Sequence, residues 1–215
     1  ASPKGPLSAA RYALAATGNS DYGWFGGGGP VPYQSTVDRI DYSNDTATAS
    51  TKGPLSLARF NLVATGNQSY GYFAGGRTPT QVSTVDRIDY SNDTATASPK
   101  GPLNSDRFNM GATGNTSYGY FGGGNPDTSV VNRIDYSNDT STASVRGPLS
   151  AARQYLAATG NSSYGYFGGG LPGTLSTVDR IDYSNDTATA SVRGPLSVAK
   201  FGLAATSAAA NGLPQ

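Results

Sequence analysis

The sequence predicts an all-β chain in which one four-stranded unit is repeated in tandem. Three observations predict it. The stretch "VDRIDYSNDTATAS" at residues 37–50 returns unchanged at 85–98 and 178–191, and a fourth copy at 131–144 differs in two places. Apolar and small residues alternate with period two, which is the strand signal. Asn, Asp, Gly and Pro cluster between the alternating runs, where turns require them. No segment carries an apolar stripe at helical spacing.

Aligning on "GPL" places equivalent glycines at Gly5, Gly53, Gly101, Gly147 and Gly194, a repeat of 46–48 residues. The first strand of each unit follows GPL, at 11–17, 59–65, 107–113 and 153–159. Tyr12, Leu14 and Ala16 share one face of the first copy, as Phe60, Leu62 and Ala64 do in the second. A Thr-Gly-Asn turn leads into the second strand, at 22–28, 70–76, 118–124 and 164–170. There Tyr22 and Trp24 point one way while Gly23 and Phe25 point the other. A loop joins this to the third strand, "VDRIDY". The motif "SNDT" then predicts a hairpin tip with positive φ at Asn-Asp, ahead of a fourth strand, "TATAS". Pro in GPL ends pairing before the next unit. The expected domain spans 1–206, with units 5–52, 53–100, 101–146 and 147–193, a fifth first strand within 194–206, and a tail at 207–215. The Ala-rich end of the chain predicts at most a helical turn without an amphipathic face.

A four-stranded unit of this length has the size of a β-propeller blade. Ala and Gly in the first strand suit an innermost strand near a central axis. Gly opposite an aromatic in the second strand lets a neighbouring blade lie close. The strand count leaves three arrangements open. Four blades close and the surplus strand packs elsewhere; or the chain belongs to a larger ring; or the repeats form an open array or fibre, with that strand joining another subunit. The opening residues "ASPKGPLS" match the repeat interior at 97–104, which predicts a start partway through a repeat, in a processed product or an excised piece.

In "GPLSAAR", "YGYFGGG" and "VDRIDYSNDT" the unit resembles the kelch repeat. The shared order is an Arg before the inner strand, an aromatic strand ending in a Gly pair, and a strand with a late Tyr before a turn. The resemblance covers all four complete units and implies β-propeller blades of about 46–48 residues. Thr46–Ala49 stand where kelch repeats carry an outer-strand Trp. The near-identity of the copies is also similar to repetitive propeller-like proteins of marine phages, which implies a virion or extracellular setting. Kelch-like propellers include a copper oxidase whose site needs His and Cys, and this chain has neither.

Composition excludes much chemistry. With no Cys and no His, thiolate metal sites, disulfides, thiol nucleophiles and the commonest general base are absent. A net charge of +1 supplies no field for nucleic acid. No apolar run approaches the ~20 residues that span a bilayer as a helix. Asp41, Asn44 and Asp45 offer oxygen ligands, but their spacing does not fit a calcium loop, and a plain turn is the simpler reading. The run "GGGG" at 26–29 has no following G-K-[ST] and reads as a turn, not a phosphate loop. No cofactor or metal is expected.

Two groups of residues stand out. Arg39 and Asp41, Arg87 and Asp89, Arg133 and Asp135, and Arg180 and Asp182 recur in every unit, as structural repeats do. They read as clips, each Arg buried and paired to an Asp of its own or an adjacent repeat. Conversely, the loop between the second and third strands varies in length and letters: "GPVPYQS", "RTPTQVS", "NPDTSV" and "LPGTLS". Loops on a rigid scaffold are where recognition sits. Tyr33, Gln34, Arg77, Gln81, Asn125, Asp127 and Leu171 are the candidate binding residues, for a glycan or a protein surface. The expected function is therefore a non-catalytic structural or recognition module, with no nucleic-acid partner and no membrane insertion, that contacts virion subunits or itself in some arrangements. A purely structural ring or fibre is the alternative. An Asp/Tyr carbohydrate-active enzyme ranks last, because catalytic groups need distinct environments to hold distinct pKa values.

Overall fold

The computed structural model describes residues 1–206. It is all-β, with four four-stranded antiparallel sheets, each ordered as its strands occur in the chain. The first sheet, blade 1, contains β1 (Ala15–Gly18), β2 (Tyr22–Gly26), β3 (Val37–Asp41) and β4 (Ser50–Lys52). Blade 2 contains β5 (Val63–Gly66), β6 (Tyr70–Ala74), β7 (Val85–Asp89) and β8 (Ser98–Pro99). Blade 3 contains β9 (Gly111–Gly114), β10 (Tyr118–Gly122), β11 (Val131–Asp135) and β12 (Ser144–Arg146). Blade 4 contains β13 (Ala157–Gly160), β14 (Tyr164–Gly168), β15 (Val178–Asp182) and β16 (Ser191–Arg193). β8 is the shortest outer strand, although the ladder bond beyond Pro99 is kept, with Lys100 N donating to Val85 O at 2.8 Å. The helical turn expected in the tail lies outside the described residues.

Two local expectations are corrected. The first strands begin later than the alternation suggested, because Ala13, Asn61, Asn109 and Tyr155 all have φ between 53° and 57°. A left-handed residue reverses the chain locally and ends the period-two pattern. Each of these backbones is held by its neighbour. The N–H of Asn61 donates to Ala13 O (2.8 Å), Asn109 to Asn61 (3.2 Å) and Tyr155 to Asn109 (2.9 Å). Gly202, with φ 64°, continues the series by donating to Tyr155 O at 3.0 Å. Five equivalent segments thus border one cavity of about 370 Å³, lined by Ala16, Ala64, Ala112, Ala158 and Ala205.

The second correction concerns "SNDT". Asp41 Oδ1 accepts from Ser43 N at 2.9 Å and Ser43 Oγ at 2.6 Å, so the chain winds into a 3₁₀ turn over Tyr42–Asn44. Asp45 keeps a negative φ of −75°, and no positive-φ hairpin forms. The other three copies repeat this turn. "TATA" is spent on it, which delays the fourth strand to Ser50.

The apolar cores lie between blades. One joins Trp24, Val37 and Leu55 to Phe73, Ile88 and Ala97. Phe73 sits where a Cβ on Gly26 would lie 2.8 Å from its ring, so only glycine lets the two sheets approach this closely. Trp24 stacks on Tyr90 of the next blade (3.8 Å), Tyr72 on Tyr136 (4.6 Å) and Tyr120 on Tyr183 (4.7 Å). The GPL linkers stitch these interfaces. Gly53 N donates to Asp93 O and Ala97 N to Pro54 O, both at 2.8 Å, while Leu55 N reaches back to Ser35 O at 2.8 Å. A Cβ on Gly53 would overlap Ala95 O, so the linker position admits no side chain.

Candidate functional site

Every blade holds its variable loop by a buried arginine. Arg59 donates to Asp86 Oδ2 (2.7 Å), Gly75 O (2.8 Å) and Phe73 O (3.0 Å), and both charged side chains are fully buried. Arg11 pairs with Asp38 at 2.6 Å and Arg153 with Asp179 at 2.7 Å in the same way. Arg11 and Arg153 bind carbonyls at both ends of the β2–β3-type loop, Gly27 and Thr36 in blade 1 and Gly169 and Thr177 in blade 4, whereas Arg59 holds the leading end of its loop through Phe73 and Gly75. The loop ends are therefore fixed while the tip is free to differ. Blade 3 departs from the set. Arg107 donates to Asn132 Oδ1, Gly123 O and Val130 O, so its buried charge faces no carboxylate. Burial pushes the Arg107 guanidinium down to about 10. In Arg153, burial also lowers the pKa, against the opposing charge of Asp179.

The recurring arginines of the third strand clip one blade to the next. Arg39 meets Asp93 at 2.9 Å, Arg87 meets Asp139 at 2.8 Å and Arg133 meets Asp186 at 2.7 Å. The same carboxylates accept from Trp24 Nε1 (3.0 Å), Tyr72 Oη (2.9 Å) and Tyr120 Oη (2.8 Å). Burial, then the neighbouring carboxylate, pushes the Tyr72 and Tyr120 hydroxyls up. Burial is the largest influence on Arg87 and lowers it, but the charge and hydrogen bonds of Asp139 and Tyr72 together outweigh it, and the net shift is upward. These arginines are only partly buried, with side chains 19–25 % exposed. Arg180 has no carboxylate partner among the described residues; it lies 4.3 Å from the Tyr164 ring. Asp41, Asp89, Asp135 and Asp182 form no ion pair with these arginines. They cap the 3₁₀ turns, and hydrogen bonds from Ser43, Ser91, Ser137 and Ser184 hold their carboxyls below the usual value.

The seven candidate binding residues fall on one rim but not in one pocket. Tyr33 stacks on Phe60 of the next blade at 4.4 Å, and Gln34 Nε2 donates to Pro32 O at 2.6 Å. Arg77 lies over the Phe108 ring at 5.5 Å and pairs with Gln81 in a β-bridge. Gln81 and Asp127 line a cleft of about 470 Å³ between the loops of blades 2 and 3. Asn125 Nδ2 donates to Gln154 Oε1 at 3.1 Å, and Leu171 bridges Gln154. The bridges of Tyr12 to Gly29, Phe60 to Arg77, Phe108 to Asn125 and Gln154 to Leu171 extend the rim inward.

Sequence reasoning missed that inner half of the rim. Tyr12, Phe60, Phe108 and Gln154, with the left-handed Ala13, Asn61, Asn109 and Tyr155, occupy the two positions after the buried Arg. A signal was present, since these two positions vary while the Arg before them is constant. Tyr12 is 59 % exposed and Tyr155 37 %, so aromatic faces are open to solvent there. Among the described residues no group of three or more His, Cys, Asp or Glu side chains is placed to hold a metal ion. No helix there is long and apolar enough to cross a membrane. No protein-family model and no curated protein matches this chain.

Proposed function

We propose that the chain is a non-catalytic recognition module of the kelch-like propeller type, on a virus particle or outside a cell, which binds glycans through its composite rim. One observation carries the reading: the parts that join blades barely change between copies, whereas the parts that meet solvent on one rim change in every copy. Folding accounts for the sameness of Arg59, Asp86, Asp93 and the stacked aromatics, because each completes a buried contact. It does not account for Pro-Tyr-Gln, Arg-Thr-Pro, Asn-Pro-Asp and Leu-Pro-Gly at equivalent loops.

The chemistry on the rim favours sugars. Exposed Tyr12 and Tyr155 offer aromatic faces, and Gln34, Asn125 and Gln154 offer amides that both donate and accept. Arginine-held loop ends limit the entropy lost on contact. The test replaces the loops at 29–35, 77–83 and 125–130 with the loop at 171–176 and probes a glycan array. The expected result is an unchanged fold by circular dichroism with loss of the glycans bound by the parent. Retained binding would overturn the reading. Binding of a protein partner that ignores every glycan would move the partner from sugar to protein.

A further inference from the structure

The five segments that carry a left-handed residue border a second cavity, of about 310 Å³. Its mouth lies next to the variable rim. Ala13 follows Tyr12, which bridges to Gly29, and Tyr155 follows Gln154, which bridges to Leu171. Two levels of side chains line it. The left-handed residues Ala13, Asn61, Asn109, Tyr155 and Gly202 form the mouth. The residues after them, Leu14, Leu62, Met110, Leu156 and Leu203, form a floor. That floor also lines the alanine-lined cavity, so it is an apolar collar between the two spaces.

The two levels answer different demands. The collar is Leu or Met in every segment, as packing requires. The mouth takes Ala, Asn, Asn, Tyr and Gly, although all five backbones have φ between 53° and 64°. Gly and Asn suit that region, and a bulky side chain does not. Tyr155 therefore stands, at φ 55°, where the backbone disfavours it. The fold gains little in return, since its ring is exposed and meets exposed Phe201 edge-on at 6.3 Å. A strained residue that folding does not explain points to function. Asn109 and Asn61 stand at the same level. Asn109 Nδ2 donates to Gln154 Oε1 at 3.2 Å, which fixes the amide and leaves Oδ1 with no protein partner among the described residues. The Asn61 side-chain amide has none there either.

We propose that this mouth is a subsite for the acetamido group of an N-acetylhexosamine, which deepens the glycan reading above and rests on it. An apolar floor under two amides and a phenol ring sets the chemistry. A hydroxyl pressed on the collar would lose its water and gain no partner. The acetamido group brings a methyl, an N–H and a C=O together. Its methyl meets Leu62, Met110 and Leu156, its N–H donates to Asn109 Oδ1, and its C=O accepts from Asn61 Nδ2. Tyr155 offers its ring to the apolar face of the sugar. A glucose unit presents a hydroxyl at the same place and glucosamine an ammonium, and the collar disfavours both.

Calorimetric titration of the 215-residue chain with equal-length oligomers of N-acetylglucosamine, glucosamine and glucose tests the subsite. The N-acetyl oligomer should bind at least about tenfold more tightly than the other two. Tyr155→Gly and Asn61→Gly each put glycine where φ is positive, so the backbone bonds of the mouth survive. Each should weaken the N-acetyl oligomer at least about fivefold, the loss of about one hydrogen bond or ring contact. Tyr155→Gly should melt no lower than the parent. Equal affinity for the three oligomers, or unchanged affinity in either variant, would overturn the subsite. Other glycans still bound on the array would then leave the glycan reading standing. A Tyr155→Gly chain that melts lower would show that folding places the tyrosine, and would overturn the subsite too. If the parent binds no glycan, both readings fall together.

Discussion

Blade 2 and blade 4 share most of their letters and differ in what stands beside them. Tyr72 in blade 2 is fully buried, stacks on Tyr136 and donates to Asp139. Tyr166, its equivalent in blade 4, has no following blade among the described residues and stays half-buried. Arg87 and Arg180 each lie 4.3 Å from a Tyr ring of their own blade, but Arg87 also finds Asp139 at 2.8 Å, whereas Arg180 has no carboxylate partner among the described residues. The difference teaches that the clip belongs to the interface and not to the blade. A repeat supplies one half of each contact on each of its faces, so equal sequence does not give equal energy. Stability in such a chain is a sum of blade terms and neighbour terms, and among the described residues blades 1 and 4 each have a neighbouring blade on one side.

The comparison can be broken by substitutions whose effects should be ranked. The largest effect is expected for Arg59→Ala, which leaves Asp86 buried without a counter-charge and unties the leading end of the blade 2 loop at Phe73 and Gly75. A loss of about 3–5 kcal/mol, measured by denaturant unfolding, is the typical cost of breaking a buried pair. Asp139→Ala should cost less, about 1–3 kcal/mol, because Arg87 and Lys100 reach solvent once released while Tyr72 loses its acceptor. If Asp139→Ala were as costly as Arg59→Ala, the ranking of within-blade over between-blade clips would be wrong.

Blade 3 offers a change in the other direction. Asn132→Asp gives Arg107 the carboxylate that the other three blades have, and removes the buried Asn132 amide that lacks a partner. A gain of about 1–2 kcal/mol is expected from calorimetry. Because burial lowers the Arg107 pKa to about 10, its charge penalises the fold at neutral pH. That penalty lifts as pH rises through the folded pKa, so the advantage of Asn132→Asp should shrink in alkali.

Arg180→Ala sharpens the contrast from below. With no carboxylate to lose, it should change the stability of the 215-residue chain by no more than about 0.5 kcal/mol. A melt as altered as that of Arg87→Ala would contradict the assignment of the clip to the interface. The smallest effect is expected from the turn caps. Asp41, Asp89, Asp135 and Asp182 have pKa values below 3.8, so their contribution is complete above that pH and is lost as pH falls through the lower folded values. Ser91→Ala should lower the melting temperature slightly at pH 7, and that difference from the parent should fade as the pH falls below the folded carboxyl value.

The strands were legible because the alternation of glycine and aromatic residues in "YGYFGGG" has one physical use, a sheet that packs closely on another. The partners were less so. Asp38 and Asp41 stand three apart in the same strand: the first is buried under Arg11, and the second sits at the strand end capping a turn. Nothing in the letters separates them. The partner of Arg39 lies 54 residues away, in the next repeat, where every copy offers the same choice of aspartates. The left-handed residues were illegible for a different reason. Ala13, Asn61, Asn109 and Tyr155 share no side-chain property, because the demand comes from backbone hydrogen bonds between neighbouring inner strands. The rim was half legible, through the variable loops, since loop variation shows in an alignment of copies while the inward bridges do not.

The GPL linkers carry a consequence for how the molecule comes apart. Each linker is bonded at once to the blade it leaves, as Leu55 is to Ser35, and to the outer turn of the blade it enters, as Gly53 is to Asp93. A protease cut or a pull at either end therefore meets a series of seams, each opened only by releasing backbone from two sheets together. Blade 4 has one bridged linker behind it and an open side ahead, and blade 1 is held by a short segment reaching Asp45. Wear should start at these two margins and advance inward one blade at a time, leaving the pair formed by blades 2 and 3 as the last fragment to resist digestion.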